Sequence, residues 1–300
     1  MIEDPTRTAP RDAGGVHASV MDCIQVNLGV LADRFHGTDT HLRLGAPLRF
    51  DVRPLDPSPG ALPTVEPELD ERVASAARLL GLATSERDAG DLTGGPLYAV
   101  ADAYALPWGP YFERQHMEHS FLVLDEEDPD RATVVDAYHN DTEWGPARPG
   151  WHSYPRDELE AHLAGAGLRL FDVEPCTPGD PPGPEANRDH LTAAETDAAR
   201  DRYVAAYREH PDPKAAVERL TLETWLLARD RALHAAWQCA DPQAKAADRA
   251  RDHARAWAGF AEQVYVGLRR VRRDRPAPDL YGPLAGLLAE DAELAERSAA

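Results

Sequence analysis

The stretch Gln115-His116-Met117-Glu118-His119-Ser120-Phe121-Leu122-Val123-Leu124, followed by Arg131-Ala132-Thr133-Val134-Val135-Asp136-Ala137-Tyr138, decides how this chain is read. A histidine opens an apolar run of β character. A short acidic turn follows, and a second, β-branched run ends in an aspartate. The pattern predicts a hairpin. Antiparallel pairing brings the start of one strand and the end of the next to the same end of a sheet, so His119 and Asp136 become neighbours. A carboxylate beside an imidazole fixes its tautomer and stabilises its charged form. The pair lacks a nucleophile.

Upstream, Val16-His17-Ala18-Ser19-Val20-Met21-Asp22-Cys23 leads into a segment with apolar residues at 24, 28, 31 and 35. That spacing predicts a helix beginning at Cys23, capped by Asp22 or Ser19 and ending near His36-Gly37. The helix dipole and first-turn N–H groups favour a thiolate there, and the same N–H groups can receive an oxyanion. A free cysteine is commonly just a small core residue. Cys176, at the close of a strand-like run, and Cys239, inside an Ala-rich helix, lack this setting and are read as structural.

Composition narrows the classes. The chain has 300 residues, 43% of them hydrophobic, enough for one large or two ordinary domains with a real core. No apolar run approaches the roughly 18 residues of a membrane span, and the acidic, polar start is not a signal peptide. Three widely spaced cysteines without a CxxC argue against a disulfide framework or zinc ribbon, and suit a reducing cytoplasm. A formal charge of -20 argues against nucleic-acid binding and is compatible with a cationic partner or with solubility alone.

The flanks complete the organisation. Residues 1–15 read as a disordered arm. Residues 41–53 alternate around Gly-Ala-Pro and read as one or two short edge strands. Pro54 to Pro67 reads as a linker, Glu68 to Leu82 as an amphipathic helix, and Leu97–Tyr104 as a strand before an aromatic loop. In that loop Trp108, with Tyr104 before it, suits the wall of a substrate cleft. Trp151 to Leu159 reads as a loop turning into a helix, with Ser153 as its cap. A closing strand spans 168–173, and the Pro/Gly-dense stretch 177–184 marks a boundary. Helices are expected over 191–209, 212–239 and 241–273, with a last one after Pro278. Trp225, Trp237, Trp257, Phe260 and Tyr265 are expected in their core. Arg269, Arg270, Arg272 and Arg273 form a basic cluster in an acidic chain, read as a solvated helix end or as a landing patch for an acidic carrier protein.

Cys23 on a helix start, His119 on a strand start and Asp136 after the next strand stand in the order of papain-like enzymes: nucleophile, base, orienting carboxylate. His116 competes with His119. A metal set of His116 and His119 with Asp136 or His139 is the alternative use of these residues, but no H-E-x-x-H helix or cysteine cluster supports it, and no metal is expected. The wider pattern is Asp-Ala-Tyr-Xaa-Leu-Pro-Trp, His-Xaa-Xaa-His-Ser-Phe-Xaa-Val and Val-Val-Asp-Ala-Tyr. With Cys23 it resembles the N-terminal domain family of butirosin biosynthesis protein H, over roughly residues 15–175. That resemblance implies an α+β chain: a papain-like cysteine catalytic domain with an antiparallel sheet over 16–178, then an all-α helical domain over 188–300. It implies acyl transfer in antibiotic-type specialised metabolism, from a phosphopantetheine thioester on an acyl or peptidyl carrier protein, through acyl-Cys23, to a small amine acceptor. No bound cofactor is implied. Papain-like enzymes often place an oxyanion-hole glutamine six residues before the cysteine. Here His17 stands there, so His17, or backbone N–H groups with Gln25, would take that role. A thioesterase, peptidase-like hydrolase or cyclase with the same triad is the alternative. So is a non-catalytic binding protein on that fold. Homodimerisation is left open by the sequence.

Overall fold

The computed structural model describes residues 15–56, 60–241 and 246–300. The arm expected over residues 1–15 lies, apart from Gly15, outside them. In chain order the elements are α1 (Cys23–His36), β1 (Arg53–Pro54), β2 (Pro63–Thr64), α2 (Leu69–Leu80), β3 (Leu82–Arg87), β4 (Leu97–Asp102), β5 (Glu118–Asp125) and β6 (Arg131–Asp136). Then come β7 (Asn140–Thr142), β8 (Gly145–Ala147), β9 (Gly150–Pro155), α3 (Arg156–Leu163), β10 (Arg169–Pro175), α4 (Pro184–Leu191), α5 (Ala194–Arg208), α6 (Pro213–Ala240), α7 (Ala247–Val271) and α8 (Tyr281–Ala299). The fold is mixed helix and antiparallel sheet, as the sequence implies. Among the described residues no helix is long and apolar enough to cross a membrane.

The chain divides into two compact units. One holds the described residues up to Arg43 together with Asp70–Asp180; the other holds Leu44–Leu69 and Pro181–Ala300. The second unit therefore takes a segment that the sequence places in the sheet-bearing domain.

In the first unit six strands form an antiparallel sheet in the order β3-β10-β4-β5-β6-β9. The expected hairpin is β5–β6, with Leu122 opposite Val135 and Val123 opposite Val134. All residues of β5 from His119 to Leu124 are buried, which explains why this run is continuously apolar rather than alternating: both faces are covered. On one face, α1 packs against β5, β4 and β10, and the Tyr98 hydroxyl donates to the Ile24 carbonyl at 3.0 Å. On the other, Phe121, Val123 and Val134 pack with Leu159 and Leu163 of α3. Gly81 joins α2 to β3 at φ +73°, where a Cβ would meet Pro178 at 2.6 Å, so both backbone and space require glycine. The segment Trp151–Pro155, expected as loop, is instead the edge strand β9, paired residue for residue with β6. Its Tyr154 ring lies 5.8 Å from Trp108 and 6.1 Å from His162 of α3 between ring centres, and α3 begins after Pro155 rather than at a Ser153 cap.

In the second unit α4–α8 surround a core that includes Trp257, Tyr203, Tyr207 and Leu220. Leu48, Phe50 and Leu62 join it, which is why Leu44–Leu69 belongs here. The strands expected over 41–53 do not form: Thr40–Gly45 is a 3-10 helix, and only Arg53, the first residue of β1, is strand. The backbone of this segment is satisfied by side chains of α4 rather than by a neighbouring strand: Leu48 N donates to Asn187 Oδ1 (3.1 Å) and Phe50 N to His190 Nε2 (3.2 Å). Within the expected linker, β1 pairs with β2. Its Thr64 and Val65 bond the fully buried Glu223 carboxylate at 2.8 and 2.7 Å. Trp257 and Phe260 are core as expected, whereas Trp225 and Trp237 are only half-buried and Tyr265 is exposed. Tyr265 sits one position past the buried Val264, about 100° round the helix from the stripe.

The arginine run closes α7. Arg269, Arg270, Arg272 and Arg273 are exposed. Arg272 reaches Glu218 (2.7 Å) and Arg270 the Pro276 carbonyl (2.9 Å), so part of the positive charge is already spent on the unit itself.

The polar centre of this unit is Asp291, which accepts from Arg231 Nε (3.2 Å), His253 Nε2 (2.7 Å) and Trp257 Nε1 (3.2 Å) with no solvent exposure. Breaking a buried pair strands its partner charge, so Asp291→Ala is expected to cost about 3–5 kcal/mol in urea denaturation. A loss below about 1 kcal/mol would show that Arg231 finds another partner.

Candidate active site

Asp22 caps α1. Its Oδ1 accepts from Ile24 N and Gln25 N, each at 2.8 Å, and Gln25 Oε1 returns the bond by accepting from Asp22 N at 3.2 Å. Arg72 holds the other oxygen at 2.8 Å. Cys23 is therefore the first residue of a firmly capped helix, as the sequence predicts. The cap has a cost for the expected oxyanion hole. The Ile24 and Gln25 amides are spent on Asp22, and Gln25 has its Oε1 committed. What remains outside the cap is the Cys23 N–H and Gln25 Nε2.

One helical turn on, Asn27 is fully buried. Its Nδ2 donates to Ser120 O (2.9 Å) and Ser120 Oγ (3.0 Å), and its Oδ1 accepts from Ala137 N (3.0 Å). Ser120 Oγ in turn donates to the Cys23 carbonyl. Ser120 follows His119, and Ala137 follows Asp136. One carboxamide thus sets the helix of the cysteine against both strands that carry its partners.

The β5–β6 register, with Leu122 opposite Val135, brings Asp136 at the end of β6 to the His119 end of β5. His119 Nε2 lies 2.7 Å from Asp136 Oδ2. Trp108 Nε1 donates to the same oxygen at 3.2 Å, and Tyr138 N donates to Oδ1 at 3.0 Å. An ionised carboxylate only accepts, so Nε2 carries the proton and Nδ1 of a neutral ring presents its lone pair. Nδ1 is buried without a hydrogen bond of ordinary geometry, and Cys23 is what the ring feels besides Asp136. Burial by itself would lower the pKa of His119. The charge of Asp136 and its hydrogen bond, with a further contribution from the neighbouring Cys23, outweigh burial and raise it well above the ordinary value. The Cys23 thiol also reaches the Glu118 carbonyl at 3.4 Å.

His119 and Asp136 line a small cleft walled by Trp108, Tyr138, His152 and Arg148 among others. Cys23, buried at 5% exposure, adjoins His119 but is not part of that wall. His152 is a site residue that the sequence reading missed. It stacks on Trp108 at 6.1 Å between ring centres. Burial lowers its pKa against the pull of Asp136, which keeps it neutral near pH 7. Arg148 is committed to the Asn140 and Ala147 carbonyls at 3.0 and 2.8 Å.

Two expectations are corrected, and a rival use of His116 is set aside. His17 does not serve as an oxyanion donor, because both its backbone N and its Nδ1 are directed at His41 Nε2, at 3.1 and 2.7 Å. Tyr104 is exposed and stacks on His116 at 4.3 Å instead of entering the cleft. His116 bonds Asp102 at 2.6 Å, so it neither competes with His119 nor assembles the metal set with Asp136. Cys176 and Cys239, read as lying outside the site, are both exposed.

No family model matches the chain, and no curated protein is detectably similar to it in sequence.

The raised pKa has a stability consequence. A group whose folded pKa is raised contributes stability that is fully present below its unfolded value, about 6.5 for histidine, and is lost as pH rises through the folded value. Asp136→Asn removes the main cause of the rise. The stability gap between wild type and Asp136→Asn is therefore expected to be widest near pH 6 and to narrow as pH climbs through the folded pKa of His119. Denaturation midpoints across that range check this; a gap that does not vary with pH would contradict it.

Proposed function

We propose that the chain is a cysteine-dependent acyltransferase with a papain-like catalytic unit. An acyl group passes from a carrier-protein phosphopantetheine thioester to Cys23 and then to a small amine. The observation that carries this reading is the buried His119–Asp136 hydrogen bond of 2.7 Å, set against the helix that begins at the buried Cys23 by the bonds of Asn27. The motif resemblance described above supports the thioester donor and the amine acceptor. The net charge of -20 favours a cationic acceptor.

The chemistry follows from the tautomer. Cys23 gives its proton to His119 Nδ1, and Asp136 stabilises the imidazolium. The thiolate attacks the thioester carbonyl, and the tetrahedral intermediate collapses with loss of the phosphopantetheine thiolate, which takes the proton from His119. The amine then attacks acyl-Cys23 while His119 Nδ1 accepts its proton. The amide leaves, and the cysteine thiolate recovers that proton. Thioester plus amine gives amide plus thiol, with no oxidant or metal consumed. Trp108 and Tyr138 supply an apolar wall, and the neutral His152 a polar tip, for the acyl group or the acceptor. A thioesterase or peptidase-like hydrolase would run the first half identically and use water in the second. The exposed arginines at the end of α7 suit an acidic carrier.

Mixing the protein with simple acyl-thioester surrogates, followed by intact mass and peptide mapping, tests the reading. The expected result is one acyl adduct on Cys23 that is absent in Cys23→Ala and forms about 10²–10⁴-fold more slowly in His119→Ala. Because Cys176 and Cys239 are exposed, they are replaced by serine for this experiment. An adduct that persists in Cys23→Ala, or none with any acyl surrogate, would refute the mechanism. Product analysis with and without an amine separates transfer from hydrolysis.

A further inference from the structure

Away from the triad, the first unit gathers two histidines and a carboxylate that the proposed chemistry does not use. His17 precedes α1, and Asp39 and His41 follow it. One nitrogen or oxygen from each lies within 4.8 Å of the others. His41 is completely buried, and His17 and Asp39 are exposed.

The hydrogen bonds of His41 define its chemistry. Its Nδ1 lies 2.8 Å from Asp33 Oδ2, and its backbone N donates to Asp33 Oδ1 at 2.8 Å. The carboxylate fixes the proton on Nδ1, so Nε2 presents its lone pair to the cluster. A carboxylate behind an imidazole is the arrangement that orients metal-binding histidines and raises their basicity. His17 meets that lone pair twice, with its Nδ1 at 2.7 Å and its backbone N–H at 3.1 Å, and one proton is shared between the two rings.

We infer that His17, Asp39 and His41 form a binding site for a divalent transition-metal ion of the zinc class, with Asp33 as the orienting carboxylate. Two imidazole nitrogens and one carboxylate suit zinc and leave a fourth position for water. Ligands at about 2.0–2.2 Å in a tetrahedral arrangement lie roughly 3.3–3.5 Å apart. The ion takes the place of the shared proton, which moves to His17 Nε2 in contact with water. The two nitrogens then separate by about 0.6–0.8 Å on the same geometry. His41 is held by packing and by Asp33, so the movement falls on His17 and Asp39, the two surface residues. A bound ion joins the segment entering α1 to the segment leaving it, and so fixes both ends of the helix that carries Cys23.

The test is calorimetric titration of the full chain with zinc ion, in a background carrying Cys23→Ala, Cys176→Ser and Cys239→Ser so that no thiol competes. That background has no acyl-enzyme chemistry, so the outcome is independent of the proposed function. One zinc per chain is expected. His17→Ala and Asp39→Ala are each expected to weaken binding by at least about 10-fold, and Asp33→Asn by about 10–100-fold. Because His17 and Asp39 are exposed, their variants retain the fold, which circular dichroism verifies. Absence of saturable zinc binding would overturn the inference. So would binding that His17→Ala and Asp39→Ala leave unchanged.

Discussion

The candidate site depends on one buried carboxamide. Asn27 has no solvent exposure, and it spends its donors and its acceptor on Ser120 and Ala137, the residues next to His119 and Asp136. Much of the remaining contact between helix and strands is apolar packing, which tolerates small slips. Hydrogen bonds of fixed direction do not, because a slip would leave buried polar groups unpaired, at roughly 1–3 kcal/mol each. The Ser120 hydroxyl on the Cys23 carbonyl adds a second tie to the same junction. The relative placement of thiol, imidazole and carboxylate is thus a property of the α1–β5–β6 junction rather than of flexible loops.

The sheet supplies the low-dielectric setting that gives these charges their effect. With both faces of β5 covered, the imidazole has little water to share its charge with, and desolvation alone would keep it neutral. Asp136 reverses that outcome. It can do so because Trp108 and Tyr138 satisfy the rest of the carboxylate and hold it in place. His152, on the same face but without a hydrogen bond to Asp136, follows burial and stays neutral. Two histidines on one surface are driven in opposite directions: Asp136 bonds one and only pulls on the other from a distance.

The hairpin, the cysteine-bearing helix and the pairing of His119 with Asp136 were legible because each leaves a local mark: a β-branched run, a helical stripe with a cap, a polar residue at each strand end. Asn27 left none, since a lone asparagine inside a helix has the pattern of a surface residue. His152 was hidden between Trp151 and, two residues on, Tyr154, which blur the alternation of an edge strand. The placement of residues 44–69 was illegible for another reason. The backbone of Phe50 is satisfied by a histidine side chain 140 residues further on, and no local pattern encodes such a partner. The same holds for His17, whose spacing from Cys23 suggested an oxyanion donor but whose ring is directed at His41.

The central claim is that Asp136 and Cys23 together keep His119 protonated beyond the range of an ordinary imidazole. Nitrogen-15 NMR of the histidine rings across pH measures this directly. The account predicts a His119 ring that titrates well above about 6.5, keeps its last proton on Nε2, and moves back toward the ordinary value in both Asp136→Asn and Cys23→Ala. A His119 that titrates at or below about 6.5 in the wild type, unaffected by either substitution, would contradict it.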